Sequence, residues 1–174
     1  MSGPIRFLDA DGQDVPDGEV GELFSRTAYS FDGYWKNEEK TQAAYAGHWC
    51  SVGDLGYRDS NGFIHLVDRK SNMIISGGEN VYPSEVEGVL GTHPVVKDVA
   101  VIGIPDEKWG EAVHAFVVLH DETGVDSRGL VAWCRERLAG YKCPKQVTLI
   151  QDHEMPRNPT GKLLHRVLRE RYAA

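Results

Sequence analysis

Several short runs in this sequence hold residue types suited to binding anions and sugars. In Pro156-Arg157-Asn158-Pro159-Thr160-Gly161-Lys162, Thr160 is a good N-cap, which predicts a final helix with Lys162 in its first turn. A cation there opposes the helix dipole, yet a lysine beside free backbone N–H groups makes an anion site. A solvated lysine with an incidental cap has the same sequence. In Ser51-Val52-Gly53-Asp54-Leu55-Gly56, a carboxylate between two glycines at a strand end can accept from both hydroxyls of a ribose. A turn aspartate bonded to its own backbone reads alike. Arg69, in the polar run 68–72, could fork onto a ribose or phosphate, or pair with Asp68 or Asp59. Gly77-Gly78 lets backbone approach a ligand closely or adopt positive φ, as a simple strand-to-helix turn also would. Trp109, in a loop, offers an aromatic surface or a half-buried anchor.

These residues need elements to hold them. Turn dipeptides Asp11-Gly12 and Asp17-Gly18 flank short apolar runs at 5–8 and 20–24, and Asn37 can cap a short helix ending near Ala44. A hairpin is predicted from Trp49–Tyr57 through Asn61-Gly62 to 63–67. The polar run 68–72 marks a boundary or hinge. Beyond it come a strand at 73–75, a glycine turn, and a helix opened by Pro83-Ser84. Strands follow at 95–104 and 112–119, then a helix over 126–139, a strand at 146–150 and a last amphipathic helix. The pattern is α+β.

Composition narrows the function classes. Of 174 residues, 41% are hydrophobic and 26% charged, which is ordinary for a folded domain. Net charge is −7, and all of it lies in residues 1–68, while 141–174 carry an excess of four positive charges. That balance suits a small anionic ligand near the tail better than extended nucleic-acid contact. No apolar run spans a membrane and no signal pattern opens the chain. Three scattered cysteines suit a reducing cytoplasm, and the seven histidines show no metal spacing.

Taken in order, the motifs resemble the AMP-forming acyl-CoA synthetases of the acyl-adenylate-forming superfamily. The resemblance rests on Gly21-Glu22-Leu23 with Gly33-Tyr34, Val52-Gly53-Asp54-Leu55-Gly56 and Asp68-Arg69-Lys70. It continues through Ile75–Glu87, Val101–Asp106 and the lysine run 156–162. The Gly77–Glu87 run looks most like bacterial fatty-acyl-CoA ligases.

The resemblance implies an enzyme that converts a carboxylic acid and Mg-ATP to an acyl-adenylate, then to a coenzyme A thioester. Asp54 and Arg69 would bind the AMP ribose, and Lys162 would be the adenylation lysine. Gly77, Gly78, Trp109, Tyr141, Lys142 and Lys145 would meet coenzyme A. Ser71 falls at a hinge usually occupied by Asp or Lys, and Cys143 stands where some relatives place an arginine. Residues 1–70 would be the β-rich end of a large adenylation domain, with the hinge near 68–72. Residues 72–174 would be a small C-terminal lid, a short antiparallel sheet with packed helices. The family's phosphate loop and acyl pocket would precede residue 1. The chain's partner is then an N-terminal adenylation domain. Alone it is expected to be inactive, to hold neither ATP, Mg2+ nor coenzyme A tightly, and to self-associate through exposed sheet edges. The alternative is a stand-alone, non-catalytic module that binds a nucleotide or a partner.

Overall fold

The structure, a computed structural model, describes residues 3–120 and 125–172. The chain divides into two units, Met1–Ser71 and Asn72–Ala174. Among the described residues no helix is long and apolar enough to cross a membrane.

The first unit is a sheet with one short helix. Strands β1 (Ile5–Leu8), β2 (Gly21–Ser25), β3 (Tyr45–Ala46), β4 (Trp49–Cys50), β5 (Asp54–Arg58) and β6 (Ile64–Arg69) run β3-β4-β2-β5-β6, with β1 also on β2. Phe7, Leu8, Phe24, Ala44, Cys50 and Leu55 form its buried side. Helix α1 (Glu38–Ala43) starts where expected, the Asn37 side chain accepting from the Lys40 N–H at 3.0 Å. The β5–β6 turn is held by Asp59, whose carboxylate accepts from the N–H groups of Asn61 and Phe63. The run expected as one strand from Trp49 to Tyr57 is broken instead. Gly53, at φ +81°, turns the chain out of the sheet between β4 and β5.

The second unit is built on a long hairpin, β9 (Val96–Asp106) with β10 (Gly110–Leu119). Its residues alternate, and both alternating sets are apolar, so both faces are covered. Val101, Val113, Ala115 and Val117 face one core with Val86 and Leu90 of α2 (Pro83–Gly91) and Leu130 and Cys134 of α3 (Ser127–Arg135). Ala100, Ile102, Phe116 and Val118 face the other, with Leu168 of α4 (His165–Tyr172). Strands β7 (Ile74–Ser76) and β8 (Glu79–Val81) form a hairpin attached to β10.

Two differences from the expected elements are local. The sequence after Gly77-Gly78 predicts no strand, but residues 79–81 return as β8, because two consecutive positive-φ glycines close a two-residue hairpin. Helix α3 closes at Arg135 rather than Ala139, although the Leu138 N–H still reaches the Cys134 carbonyl. The sheet is antiparallel apart from one edge, where β11 (Gln146–Leu149) runs parallel to β10.

A further difference touches the candidate site. Helix α4 begins at His165, so Thr160 does not cap it and Lys162 is not in its first turn. The Asn158 side chain takes the N–H groups that would have opened an earlier helix.

Candidate functional site

In the first unit, the break at Gly53 places Asp54 at the start of β5, directly opposite Arg69 at the end of β6. Arg69 Nε lies 2.7 Å from Asp54 Oδ1, and half of the arginine side chain is exposed. The pair combines an acceptor and a donor fork at one strand end, which suits vicinal hydroxyls. Beneath it is a clamp. Buried Ser51 donates to Glu22 at 2.6 Å and accepts from the Gly53 N–H at 3.0 Å. Glu22's other oxygen takes the Lys70 ammonium at 2.8 Å, and the Lys70 N–H donates to the Gly53 carbonyl at 2.8 Å. Both strand ends are thereby fixed beside a cleft of about 250 Å³ lined by Glu22, Tyr34, Lys40, Ser51 and Lys70. Ser71 follows, exposed.

In the second unit, Gly77 and Gly78 are the two central residues of the β7–β8 hairpin, at φ +62° and +86°. They have different surroundings. A Cβ on Gly77 would stand 2.8 Å from Trp109 Cε3, whereas a Cβ on Gly78 would meet nothing within 4 Å. The Gly77 N–H donates to the Trp109 carbonyl at 2.8 Å. The ammonium groups of Lys108 and Lys145 each sit 4.7 Å from the center of the Trp109 ring. Gly77, Trp109 and Lys145 therefore form one surface.

The rest of the 141–145 loop is disposed differently. Tyr141 is exposed, but Lys142 turns to Glu85, with 2.8 and 2.7 Å contacts to its two carboxylate oxygens. Burial pulls the Lys142 ammonium down, but the Glu85 carboxylate outweighs it and leaves it above the ordinary lysine value. Cys143 is buried, its Sγ 3.5 Å from the Ala139 carbonyl. Burial pushes its thiol up, and pushes that of Cys134 up to about 11, so neither is a ready nucleophile.

Lys162 lies on a tight turn rather than a helix. Its side chain is exposed and makes no ion pair among the described residues. Its backbone is held on both sides: Asn158 Oδ1 accepts from the Lys162 N–H at 2.8 Å, and the Asn158 N–H donates to the Lys162 carbonyl at 2.9 Å. Arg157 spans the turn, donating to the Gly161 carbonyl at 2.5 Å and pairing with Asp98 of β9. A fixed backbone carrying an unpaired cation is an arrangement for meeting an anion.

Several residues in these arrangements carry no role that the sequence alone shows, among them Ser51, Lys70, Lys108 and Arg157. Glu22, Glu85 and Asn158 lie inside the quoted motifs, so their runs were visible but their partners were not; Asp98 had no local signal. Among the described residues no three His, Cys, Asp or Glu side chains converge to hold a metal ion.

Known proteins resemble this chain in sequence and in fold. Residues 85–162 match the AMP-binding enzyme C-terminal domain. The chain is 45% identical over 159 residues to a 2-succinylbenzoate–CoA ligase of Geobacillus kaustophilus, covering 91% of this chain and 32% of that one. It is 46% identical over 154 residues to the long-chain-fatty-acid–CoA ligase FadD13 of Mycobacterium tuberculosis, covering 88% and 30%. The crystal structure of ATP-bound MatB from Rhodopseudomonas palustris superposes with a TM-score of 0.91 at 34% identity, over 99% of this chain and 34% of that one. The chain thus spans about a third of the length of the curated relatives it matches. By its motifs, its fold and these matches, the chain is similar to the C-terminal part of AMP-forming acyl-CoA synthetases, and its residues 85–162 form an AMP-binding enzyme C-terminal domain.

Proposed function

We propose that this chain is the C-terminal part of an ATP-dependent, AMP-forming acyl-CoA ligase, with a fatty acid as the acyl group. The observation that carries the reading is Lys162, an unpaired exposed cation on a turn with a fixed backbone. In the first half-reaction a carboxylate oxygen attacks the α-phosphorus of ATP and pyrophosphate leaves. Lys162 lies between carboxylate and α-phosphate and offsets the charge that builds there. Asp54 accepts from the ribose hydroxyls, and Arg69, already paired with it, donates to the same oxygens. In the second half-reaction the thiol of coenzyme A attacks the acyl carbon and AMP leaves. Gly78 leaves the thiol's path open, while Gly77, Trp109, Tyr141, Lys142 and Lys145 border the cofactor. Lys142 would have to share its ammonium with Glu85. The Asn72–Ala174 unit turns about Ser71 between the two steps. Mg2+ arrives with the nucleotide, and no residue of this chain is assigned to it.

A fatty acid is supported by the Gly77–Glu87 run and the mycobacterial relative, and the succinylbenzoate ligase marks the competing acid. Three buried free cysteines support a reducing cytoplasm. The chain alone should give no ATP–pyrophosphate exchange. Joined in frame to the upstream portion of the M. tuberculosis ligase, in place of that enzyme's own C-terminal part, it should restore acyl-CoA formation. A folded but inactive fusion would refute the reading. Restoration of the succinylbenzoate ligase, but not of the fatty-acid ligase, would overturn the acyl assignment.

A further inference from the structure

The turn that carries Lys162 is organised by one side chain. Asn158 Oδ1 accepts from the Thr160 N–H at 3.1 Å, the Thr160 hydroxyl at 2.8 Å and the Lys162 N–H at 2.8 Å. The Asn158 backbone closes the same loop, accepting from the Gly161 N–H and donating to the Lys162 carbonyl, both at 2.9 Å. Gly161, at φ +83°, permits the reversal, and Arg157 pairs with Leu163 across it. Most of these groups are exposed, so the network adds little to a core. Its consequence is local: the Lys162 backbone is tied at both its N–H and its carbonyl, while its ammonium makes no ion pair among the described residues.

We infer that Asn158 is a positioning residue for the adenylation step, acting through Lys162 by fixing the backbone from which its ammonium reaches the α-phosphate. The inference rests on the ligase reading above. A lysine on a loose loop would still be attracted to ATP, but it would spend little time at the reacting oxygens. Losing the Asn158 acceptor therefore lowers the rate of adenylation more than the affinity for ATP. Thioester formation, which does not use Lys162, is untouched.

The test uses the 174-residue chain alone and fused to the upstream portion of the M. tuberculosis ligase. In the chain alone, N158A should lose hydrogen-exchange protection at the Lys162 and Thr160 amides with little change in melting temperature. N158D, which keeps an acceptor oxygen, should retain that protection. In the fusion, N158A should slow pyrophosphate exchange roughly 10- to 100-fold, the cost of misplacing a reacting group by about 1 Å. The KM for ATP should change less than about threefold on the same argument, and N158D should recover most of the rate. Thioester formation from supplied acyl-adenylate should be unchanged. Exchange at the unsubstituted rate in N158A, or equal loss in both half-reactions with a falling melting temperature, overturns the inference. K162A separates the two levels. If K162A is inactive in exchange and N158A is not, only the inference fails. If K162A exchanges normally, the ligase reading fails and the inference with it.

Discussion

The two glycines of the β7–β8 turn can be separated by substitution, because the structure gives them different surroundings. Both have positive φ, so any side chain at either costs about 1–2 kcal/mol of backbone strain. At Gly78 nothing else is near, and a leucine should cost no more than an alanine. At Gly77 a Cβ would press on the Trp109 ring at 2.8 Å, adding an overpacking penalty of about 1–3 kcal/mol. In a unit of about a hundred residues, 1 kcal/mol moves Tm by roughly 4–8 °C. Gly78→Ala and Gly78→Leu should therefore fall together by roughly 5–15 °C, and Gly77→Ala should fall about twice as far. Thermal unfolding of the three variants, followed by circular dichroism, measures this directly. A Gly78→Leu protein far less stable than Gly78→Ala, or a Gly77→Ala protein equal to Gly78→Ala, would refute the reasoning. With folding costs matched, a further loss in Gly78→Leu confined to thioester formation would report on the path of the thiol.

Phe63 and Leu66 are exposed on or beside the edge strand β6, so the whole chain should self-associate in size-exclusion chromatography and Leu66→Lys should reduce this. Self-association of residues 72–174 alone, with the whole chain monomeric, would contradict it. His114 is buried against Phe116 and bonded to Thr148, and burial holds its imidazole below the ordinary 6.5. The unfolded chain then takes up this proton first, so the contribution is complete above about pH 6.5 and is lost as pH falls below it. The slope is at most about 1.4 kcal/mol per pH unit. His114→Gln should flatten the fall in Tm between about pH 7 and 5, and an unchanged slope would contradict the assignment.

Sequence signals worked best where a residue acts on its own neighbors. Asn37 caps α1 and Pro83 opens α2, and Asp59 folds the β5–β6 turn, each within a few positions of itself. They failed where a distant or competing partner decides. Thr160 reads as a helix cap, but Asn158 two residues earlier takes the same amides and delays α4 to His165. The Trp49–Tyr57 run reads as a continuous strand, but Ser51 is drawn to Glu22, 29 positions away. The run around Lys142 carries no sign of its partner Glu85, which lies 57 positions back. The β8 strand exists only because β7 is beside it to pair with. For the site, residue types and order were legible through resemblance, whereas the clamp beside Asp54 joins residues 29 and 48 positions apart, and the turn that fixes Lys162 is local but lies in a run that reads equally as a helix start.

The central claim is that this chain supplies the adenylation lysine of a CoA ligase. The most direct measurement compares Lys162→Ala with the unsubstituted chain in the fusion described above, one half-reaction at a time. ATP–pyrophosphate exchange should fall by about 10²-fold or more, as removal of a charge-stabilising donor does, while thioester formation from supplied acyl-adenylate should stay within a few-fold. Equal loss in both half-reactions, or undiminished exchange, would contradict it.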